Sequence, residues 1–237
     1  QKKITNYLLH TQREDGSWPL YFGGPCDINS TVESYMALSL AGISKGRPEM
    51  IQAREAIFAN GGIKAARVFT KVFLAMFGQI SWNVCPSVPV EIILLKNWFP
   101  LNIYEMSSWS RSTVVPLSIV ISHKPVCHLP EGNDFKELFT SGDSELGFES
   151  DGLVFSSWRN FFINLDKLIK FIGKSPWKPF RKIARKRALS WVIEHQEEQG
   201  DFSGIQPAML NSLLAYHYEG ISKNDPKWIK GLEAVER

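Results

Sequence analysis

The sequence has few cysteines, and their placement argues against two common ways of stabilising a small domain. Three occur in 237 residues, Cys26, Cys85 and Cys127, and no two of them form a Cys-x-x-Cys pair. An odd number of widely spaced cysteines argues against both a disulfide framework and a zinc knuckle. His123 and His128 lie close to Cys127, but this spacing fits no common zinc pattern. We therefore expect no metal site, and reduced thiols favour a cytoplasmic protein.

Long apolar runs and a large charge excess are missing as well. No stretch approaches the roughly 20 apolar residues of a membrane-spanning helix, since Pro116 and Ser118 interrupt the best candidate, 114–121. The net charge of +3 is too small to indicate a nucleic-acid partner. The chain starts at Gln1 without a signal-peptide pattern and stops inside a helical pattern, KGLEAVER. We therefore expect a fragment of a longer protein.

Alternating patterns typical of strands are also absent. Apolar residues recur instead at helical spacing, as in Tyr35 and Leu38 or Leu40 and Ile43, and the 44% apolar content is enough for a sizeable core. The predicted fold class is all-α. Helices are expected at 4–13, 31–43, 50–60, 64–78, 88–97, 110–122, 157–173, 179–199 and 207–219.

A long connection is predicted at 123–156, where turn-forming and acidic residues accumulate. It separates two halves with the same organisation. Each half has a helix that ends in an aromatic, Gln, Gly, aromatic pattern, and then a second helix that ends in Gly-Ile-Ser, at 42–44 and at 220–222. This arrangement indicates an internal repeat.

The repeated pattern is YLLHTQREDGSW at 7–18 and WVIEHQEEQGDF at 191–202. In each copy the glycine permits a left-handed turn after the helix, which folds the next aromatic ring back onto the helix while the Gln amide bonds nearby backbone. One such helix end could arise by chance, whereas two with matched flanks favour a repeat. The predicted structural residues are Tyr7, Gln12, Gly16 and Trp18 in the first copy, and Trp191, Gln196, Gly200 and Phe202 in the second.

Both segments resemble the QW motif of squalene-hopene and oxidosqualene cyclases, although the second copy has Phe202 in place of tryptophan. The stretch PLNIYEMSSWSRSTVVPLSIV at 100–120 resembles the segment that lines the cavity and its entrance in bacterial squalene-hopene cyclases. A third stretch, GDFSGIQPAMLNSLLAY at 200–216, resembles the family's segment after a QW motif. Together these resemblances cover almost the whole chain.

The resemblance implies an α/α barrel, or toroid, of antiparallel helix pairs. Residues 1–222 would form the barrel domain that is inserted in the full-length cyclase, and 223–237 would begin the link to the catalytic barrel. The family protonates a terminal alkene with an Asp of a DxDD motif, because an unactivated double bond needs a strong acid. No DxDD occurs here. We therefore expect this chain to supply no catalytic acid and to be inactive alone.

The resemblance also implies residues that line the substrate cavity. Trp109 matches the family's cavity tryptophan, and an indole face stabilises a carbocation without acting as a base. Ile205, Gln206 and Pro207 correspond to a cavity wall that in relatives holds water near the end of the cyclised chain. The alternatives are a core tryptophan and, for Gln206 and Pro207, an ordinary helix start.

Met106 and Val114 align with positions that narrow the channel between the membrane and the cavity in the family. Many relatives have an aromatic residue where this chain has Met106. Both residues could instead be core residues at helical spacing, and methionine is a common gap filler.

A basic segment favours contact with a membrane. Ten Lys or Arg residues and one acid, Asp166, lie between Arg159 and Arg187. An amphipathic helix in this segment can lie in a membrane interface, with Trp158 and Trp177 at headgroup depth. The alternative is a packed helix with a solvated basic face. The predicted contact residues are Phe161, Phe162, Leu165, Leu168, Ile169 and Ile172.

Two functions are compatible with these patterns. The first is part of a cyclase that folds and cyclises squalene through a proton-initiated carbocation cascade, without a cofactor, at a cytoplasmic membrane surface. The second is a non-catalytic α/α-barrel module that binds a lipid or a partner. Protein prenyltransferase subunits have that architecture but need a zinc site that this sequence lacks. The sequence leaves the oligomeric state open, with a homodimer as one possibility.

Overall fold

The computed structural model of the chain describes residues 2–99, 102–130, 134–139, 157–173 and 178–237. Within these ranges the one β-type contact is an isolated bridge between Pro19 and Cys26, so the all-α prediction is confirmed. The ten α-helices of the described residues are α1 (Lys2–Thr11), α2 (Ile28–Leu40), α3 (Pro48–Ala59), α4 (Gly62–Ala65), α5 (Val68–Met76), α6 (Ser108–His123), α7 (Trp158–Gly173), α8 (Arg181–His195), α9 (Gln206–Tyr218) and α10 (Pro226–Glu236). Three 3₁₀ turns lie at Val90–Leu94, Ile103–Glu105 and Lys136–Leu138.

The single helix predicted at 64–78 is wrong, because the segment forms α4 and α5 with a break between them. Ala66 is extended, with ψ 145°. The backbone N–H of Arg67 donates to Asn29 Oδ1 at 2.7 Å instead of to a helical carbonyl. A buried side chain from α2 therefore ends one helix and fixes the start of the next.

Two further differences concern short segments. The helix predicted at 88–97 is only the 3₁₀ turn Val90–Leu94, since Pro89 and Leu95 on either side are extended. Residues 223–237, for which the sequence predicts a link, contain α10. Asp225 caps α10 by accepting from Lys227 N–H at 2.8 Å, and Pro226 takes the first helical position.

The chain divides into two compact units, and each has its own core. The first unit comprises Gln1–Pro86 and Val126–Ile163. Part of the predicted connection at 123–156 belongs to it, although most of that connection lies outside the described residues. Phe135 and Leu138 are buried. The ring of Phe135 packs edge-on against Phe77 at 6.4 Å.

Polar contacts attach the segment 134–139 to the rest of the first unit. Lys45 Nζ donates to Asp134 Oδ1 at 3.1 Å and to Glu137 Oε2 at 2.9 Å. The Tyr35 hydroxyl donates to Glu137 Oε1 at 2.7 Å. The pKa of this phenol is raised, mainly because the ring is buried and also because the Glu137 carboxylate accepts its proton in the hydrogen bond. The segment is therefore fixed by both apolar and charged contacts.

The second unit comprises Ser87–Pro125 and Asn164–Arg237. Helices α6, α8, α9 and α10 surround its apolar core, together with the 3₁₀ turn at Val90–Leu94. Arg181 at the start of α8 pairs with Glu91 in this turn, with Nε and Oε1 2.8 Å apart. The buried core residues are Val90, Ile93, Ile103, Val115, Ile119, Ala184, Ala188, Val192, Phe202, Ala208, Met209, Ala215 and Tyr216.

Candidate functional site

The two repeated motifs form the same hydrogen bonds. Gln12 Nε2 donates to Gly16 O and to Glu49 O, both at 2.8 Å. Gln196 Nε2 donates to Gly200 O and to Lys227 O, both at 2.9 Å. Each motif ends the first of three successive helices, α1 to α3 in the first copy and α8 to α10 in the second. The Gln amide therefore connects the motif turn to the first residues of the third helix, α3 or α10. The motif pattern predicts the bond to the turn, whereas the bond to the third helix has no counterpart in it.

The glycine of each turn is required by two independent constraints. Gly16 and Gly200 have φ values of +80° and +94°, which L side chains rarely adopt. A Cβ at Gly16 would lie 2.4 Å from Gln52 O, and one at Gly200 would lie 2.1 Å from Lys230 O. The turn therefore packs directly on the backbone of the third helix, where no side chain fits.

The last aromatic residue of each motif is buried. Trp18 Nε1 donates to Leu8 O at 2.9 Å, and a phenylalanine cannot form this bond. Phe202 therefore keeps the packing and loses one hydrogen bond. The first aromatic residues differ from these, because Tyr7 is exposed and Trp191 stacks on His195 with centroids 3.8 Å apart.

In the second copy a buried tyrosine completes the motif. The Tyr216 hydroxyl donates to Gln196 Oε1 at 3.1 Å, so both ends of this amide are bonded. Burial raises the pKa of Tyr216, which keeps the phenol protonated. The sequence contains no local signal for this contact, because the two residues lie on α9 and at the end of α8.

Helices α6 and α9 pack side by side in the same direction. Near their first turns Asn211 Nδ2 donates to Thr113 O at 3.4 Å. At their far ends His123 Nε2 lies 2.7 Å from Glu219 Oε1, which also pairs with Arg185 Nε at 3.3 Å. The N-terminal part of α6 thus contacts the N-terminal part of α9, and the C-terminal ends of the two helices contact each other. The two helices are therefore parallel.

This parallel packing brings the predicted cavity residues to one end of the second unit. Trp109 lies four residues before Thr113 on α6, and Gln206 lies five residues before Asn211 on α9. At the helical rise per residue, each is about 6 to 8 Å along its helix axis from the contact between Thr113 and Asn211. Trp109 is 62% exposed and therefore lies outside the core of the second unit. Gln206 and Pro207 are also exposed, and Ile205 packs partly against the core. An indole face and an amide are thus available at the same helix ends.

The two predicted channel residues lie close to this end of α6. Met106 follows the 3₁₀ turn Ile103–Glu105 and is 37% exposed, so it is not a core residue. Val114 is half-buried on α6 next to the buried Thr113 and Val115. Met106 is therefore an exposed apolar residue close to Trp109, with the exposed Ser107 and Ser108 between them in the sequence.

Part of the polar face of helix α7 forms contacts with the protein. Asp166 accepts from the Ser87 N–H at 2.6 Å and pairs with Lys170 Nζ at 2.7 Å, and Asn160 is buried. Trp158 and Ile172 on the opposite face are 76% and 61% exposed. Arg159 and Lys167 of this helix are exposed as well, so the alternative of a packed helix with a solvated basic face also agrees with the structure.

The other predicted contact residues of α7 differ in their exposure. Phe162 and Leu168 are exposed, whereas Phe161, Leu165 and Ile169 are half-buried. Trp177 lies outside the described residues. None of the described helices is long and apolar enough to cross a bilayer.

In the second unit an exposed indole and an exposed amide thus lie at the same end of two parallel helices. Residues 1–237 match the squalene-hopene cyclase N-terminal domain family along the whole chain. The chain belongs to this family, whose domain is a helical α/α toroid.

Individual relatives agree with this assignment. The chain is 42% identical to a squalene-hopene cyclase of Alicyclobacillus acidocaldarius over 237 residues, which is 99% of this chain and 36% of the relative. It is 38% identical to a squalene hopane cyclase of Aspergillus fumigatus, over 98% of this chain and 32% of the relative. A squalene-hopene cyclase of Zymomonas mobilis is 36% identical over the whole chain and 36% of the relative. The chain thus spans about a third of the length of these curated relatives.

Proposed function

We propose that this chain is the part of a squalene-cyclising enzyme that forms one wall and the mouth of the substrate cavity. The observation that carries the proposal is the exposure of Trp109 at the same end of two parallel helices as Gln206. A large indole is costly to leave in water unless an apolar ligand or another part of the protein covers it. A linear triterpene is such a ligand.

The chemistry of the two side chains suits a carbocation cascade. The ring face of Trp109 attracts a positive charge and carries no base that would remove a proton early. Gln206 both donates and accepts hydrogen bonds, so it can hold a water near the final cation without itself changing charge. Met106 and Val114 would guide an apolar chain toward this end. The initiating acid would come from the rest of the enzyme.

A chimera tests this proposal. Residues 1–237 replace the matching third of the Alicyclobacillus acidocaldarius squalene-hopene cyclase, and product formation from squalene is followed by gas chromatography and mass spectrometry. We expect turnover in the chimera and none in the purified chain alone. Trp109→Leu should lower kcat by about 2- to 30-fold, since a cation–π contact contributes from about 0.5 kcal/mol at an exposed site to about 2 kcal/mol at a desolvated one. Trp109→Phe should retain more activity.

Phe22→Leu is the matched control, because Phe22 is a fully exposed aromatic of the first unit. It should leave kcat and the product distribution unchanged. Equal turnover in the Trp109→Leu and Phe22→Leu chimeras would contradict a role of Trp109 in the cavity. Turnover of squalene by the purified chain would contradict the division of roles between this chain and the rest of the enzyme.

We also propose that the exposed face of α7 contacts a membrane, from which a lipid-soluble substrate would enter. Binding to neutral phosphatidylcholine vesicles, measured by cosedimentation, should fall strongly in Phe162→Gln/Leu168→Gln, because both side chains are exposed apolar residues. Phe22→Gln is the control and should bind like the wild-type chain. Unchanged binding of the α7 variant would refute this contact.

A further inference from the structure

A second apolar and basic surface lies in the second unit, apart from α7. It is an open groove of about 650 Å³ beside α8, formed mainly by residues 93–98, which are the end of the 3₁₀ turn at Val90–Leu94 and the residues after it. Tyr104 and Arg187 also line it. The groove therefore joins residues that are about ninety positions apart in the sequence.

Two cations of the groove have no protein partner among the residues that the structure describes. Lys96 and Arg187 are exposed, and within those residues neither side chain forms an ion pair or a hydrogen bond. The nearby acid Glu91 is occupied, since it accepts from both Nε and Nη2 of Arg181. Two positive charges on one concave surface attract an anion. Arginine in particular binds phosphate oxygens with two parallel donors.

Apart from Asn97, the rest of the lining is apolar or aromatic. Trp98 is 78% exposed and Tyr104 is also exposed, while Leu94 and Leu95 are half-buried. Exposed Trp and Tyr side chains with basic neighbours are typical of the membrane–water interface, where the ring lies at headgroup level. A soluble phosphate would use the two cations and leave Trp98 in water. A phospholipid would use both parts of the groove.

We propose that this groove binds the phosphate headgroup of an anionic phospholipid, with Lys96 and Arg187 on the phosphate and Trp98 beside the upper acyl chain. This inference rests on the proposed membrane contact and adds a lipid preference to it. Helix α7 would bind the membrane through apolar contacts, which do not depend on lipid charge. The groove would bind it through the phosphate headgroup, so that this part of the binding depends on lipid charge.

Cosedimentation with two kinds of vesicle tests the groove. One contains phosphatidylcholine alone and the other contains phosphatidylcholine with phosphatidylglycerol. The Lys96→Gln/Arg187→Gln variant should bind the anionic vesicles about 10- to 30-fold more weakly than the wild-type chain, from the usual contribution of a basic residue at an anionic surface. Its binding to neutral vesicles should be unchanged. Trp98→Leu should weaken binding to the anionic vesicles as well.

The matched control is Lys223→Gln/Lys230→Gln, which removes the same charge from two exposed lysines of the second unit outside the groove. It should weaken binding to the anionic vesicles by less than about threefold. Thermal unfolding should be the same in all these variants, because the substituted side chains are exposed.

Each other outcome overturns the inference in a distinguishable way. Equal losses in the groove and control variants would show diffuse electrostatic attraction without a site. Full binding of the groove variant would leave the α7 contact standing and remove the headgroup site. Binding of inorganic phosphate that is lost in the groove variant, without a preference for anionic vesicles, would show a soluble-anion site. A wild-type chain that binds neither vesicle would refute the α7 contact too.

Discussion

Replacing Gly200 with alanine would destabilise the motif turn in two ways, through backbone strain and through a steric clash with α10. The φ of +94° disfavours any L side chain, and the new Cβ would lie 2.1 Å from Lys230 O. A left-handed residue other than glycine costs about 1–2 kcal/mol. The close approach to α10 must also be relieved by moving its backbone. That movement strains the bond from Gln196 Nε2 to Lys227 O, and a buried amide left without its partner costs about 1–3 kcal/mol.

We therefore expect Gly200→Ala to lower the free energy of unfolding of the second unit by about 2–5 kcal/mol. Gly220→Ala is the matched control. Gly220 has a φ of +79°, and a Cβ added to it would meet no atom within 4 Å, so this variant should lose only the conformational cost of about 1–2 kcal/mol. Urea unfolding followed by circular dichroism measures both values. Equal losses in the two variants would refute the steric part of the reasoning.

The first copy allows the same comparison. Gly16→Ala should cost more than Gly42→Ala, since the φ values are +80° and +85° but only the Gly16 Cβ meets backbone, at 2.4 Å from Gln52 O. Trp18→Phe should lower the stability of the first unit by about 1 kcal/mol, because it removes the bond to Leu8 O and keeps most of the packing; no change in urea unfolding would contradict a role for that bond. The pKa of Asp134 is lowered, chiefly by the hydrogen bond from Lys45, so its contribution is present above the unfolded pKa and lost as pH falls through the folded one. Asp134→Asn should therefore reduce the loss of first-unit stability below about pH 4, and an unaltered pH profile by circular dichroism would count against this pair.

The motif residues show why part of the site can be predicted from sequence. Gln196, Gly200 and Phe202 act within seven residues of each other, so a local pattern predicts the turn, the left-handed glycine and the buried ring. The bonds to Lys227 and Tyr216 cannot be predicted in the same way, because they depend on how α9 and α10 pack against the end of α8.

The break between α4 and α5 has a similar cause. The apolar spacing of 64–78 fits one helix. The helix is interrupted because the buried side chain of Asn29 accepts the hydrogen bond from the Arg67 N–H, which then cannot donate to a helical carbonyl. A tertiary hydrogen bond thus overrides the local preference. The capping of α10 by Asp225 and Pro226 is the opposite case, since the local signal for a helix start is present in a stretch interpreted as a link.

The sequence by itself determined the all-α class and the repeated turn, because these depend on local spacing and residue type. The cavity residues were expected only from the resemblance to a cyclase family. The tertiary structure decided which of those residues are exposed. It placed Trp109 and Gln206 at one end of two parallel helices, and it brought Lys96 into the same groove as Arg187. Exposure and proximity between distant segments depend on how helices pack, and helix packing is a property of the whole unit rather than of any one stretch of sequence.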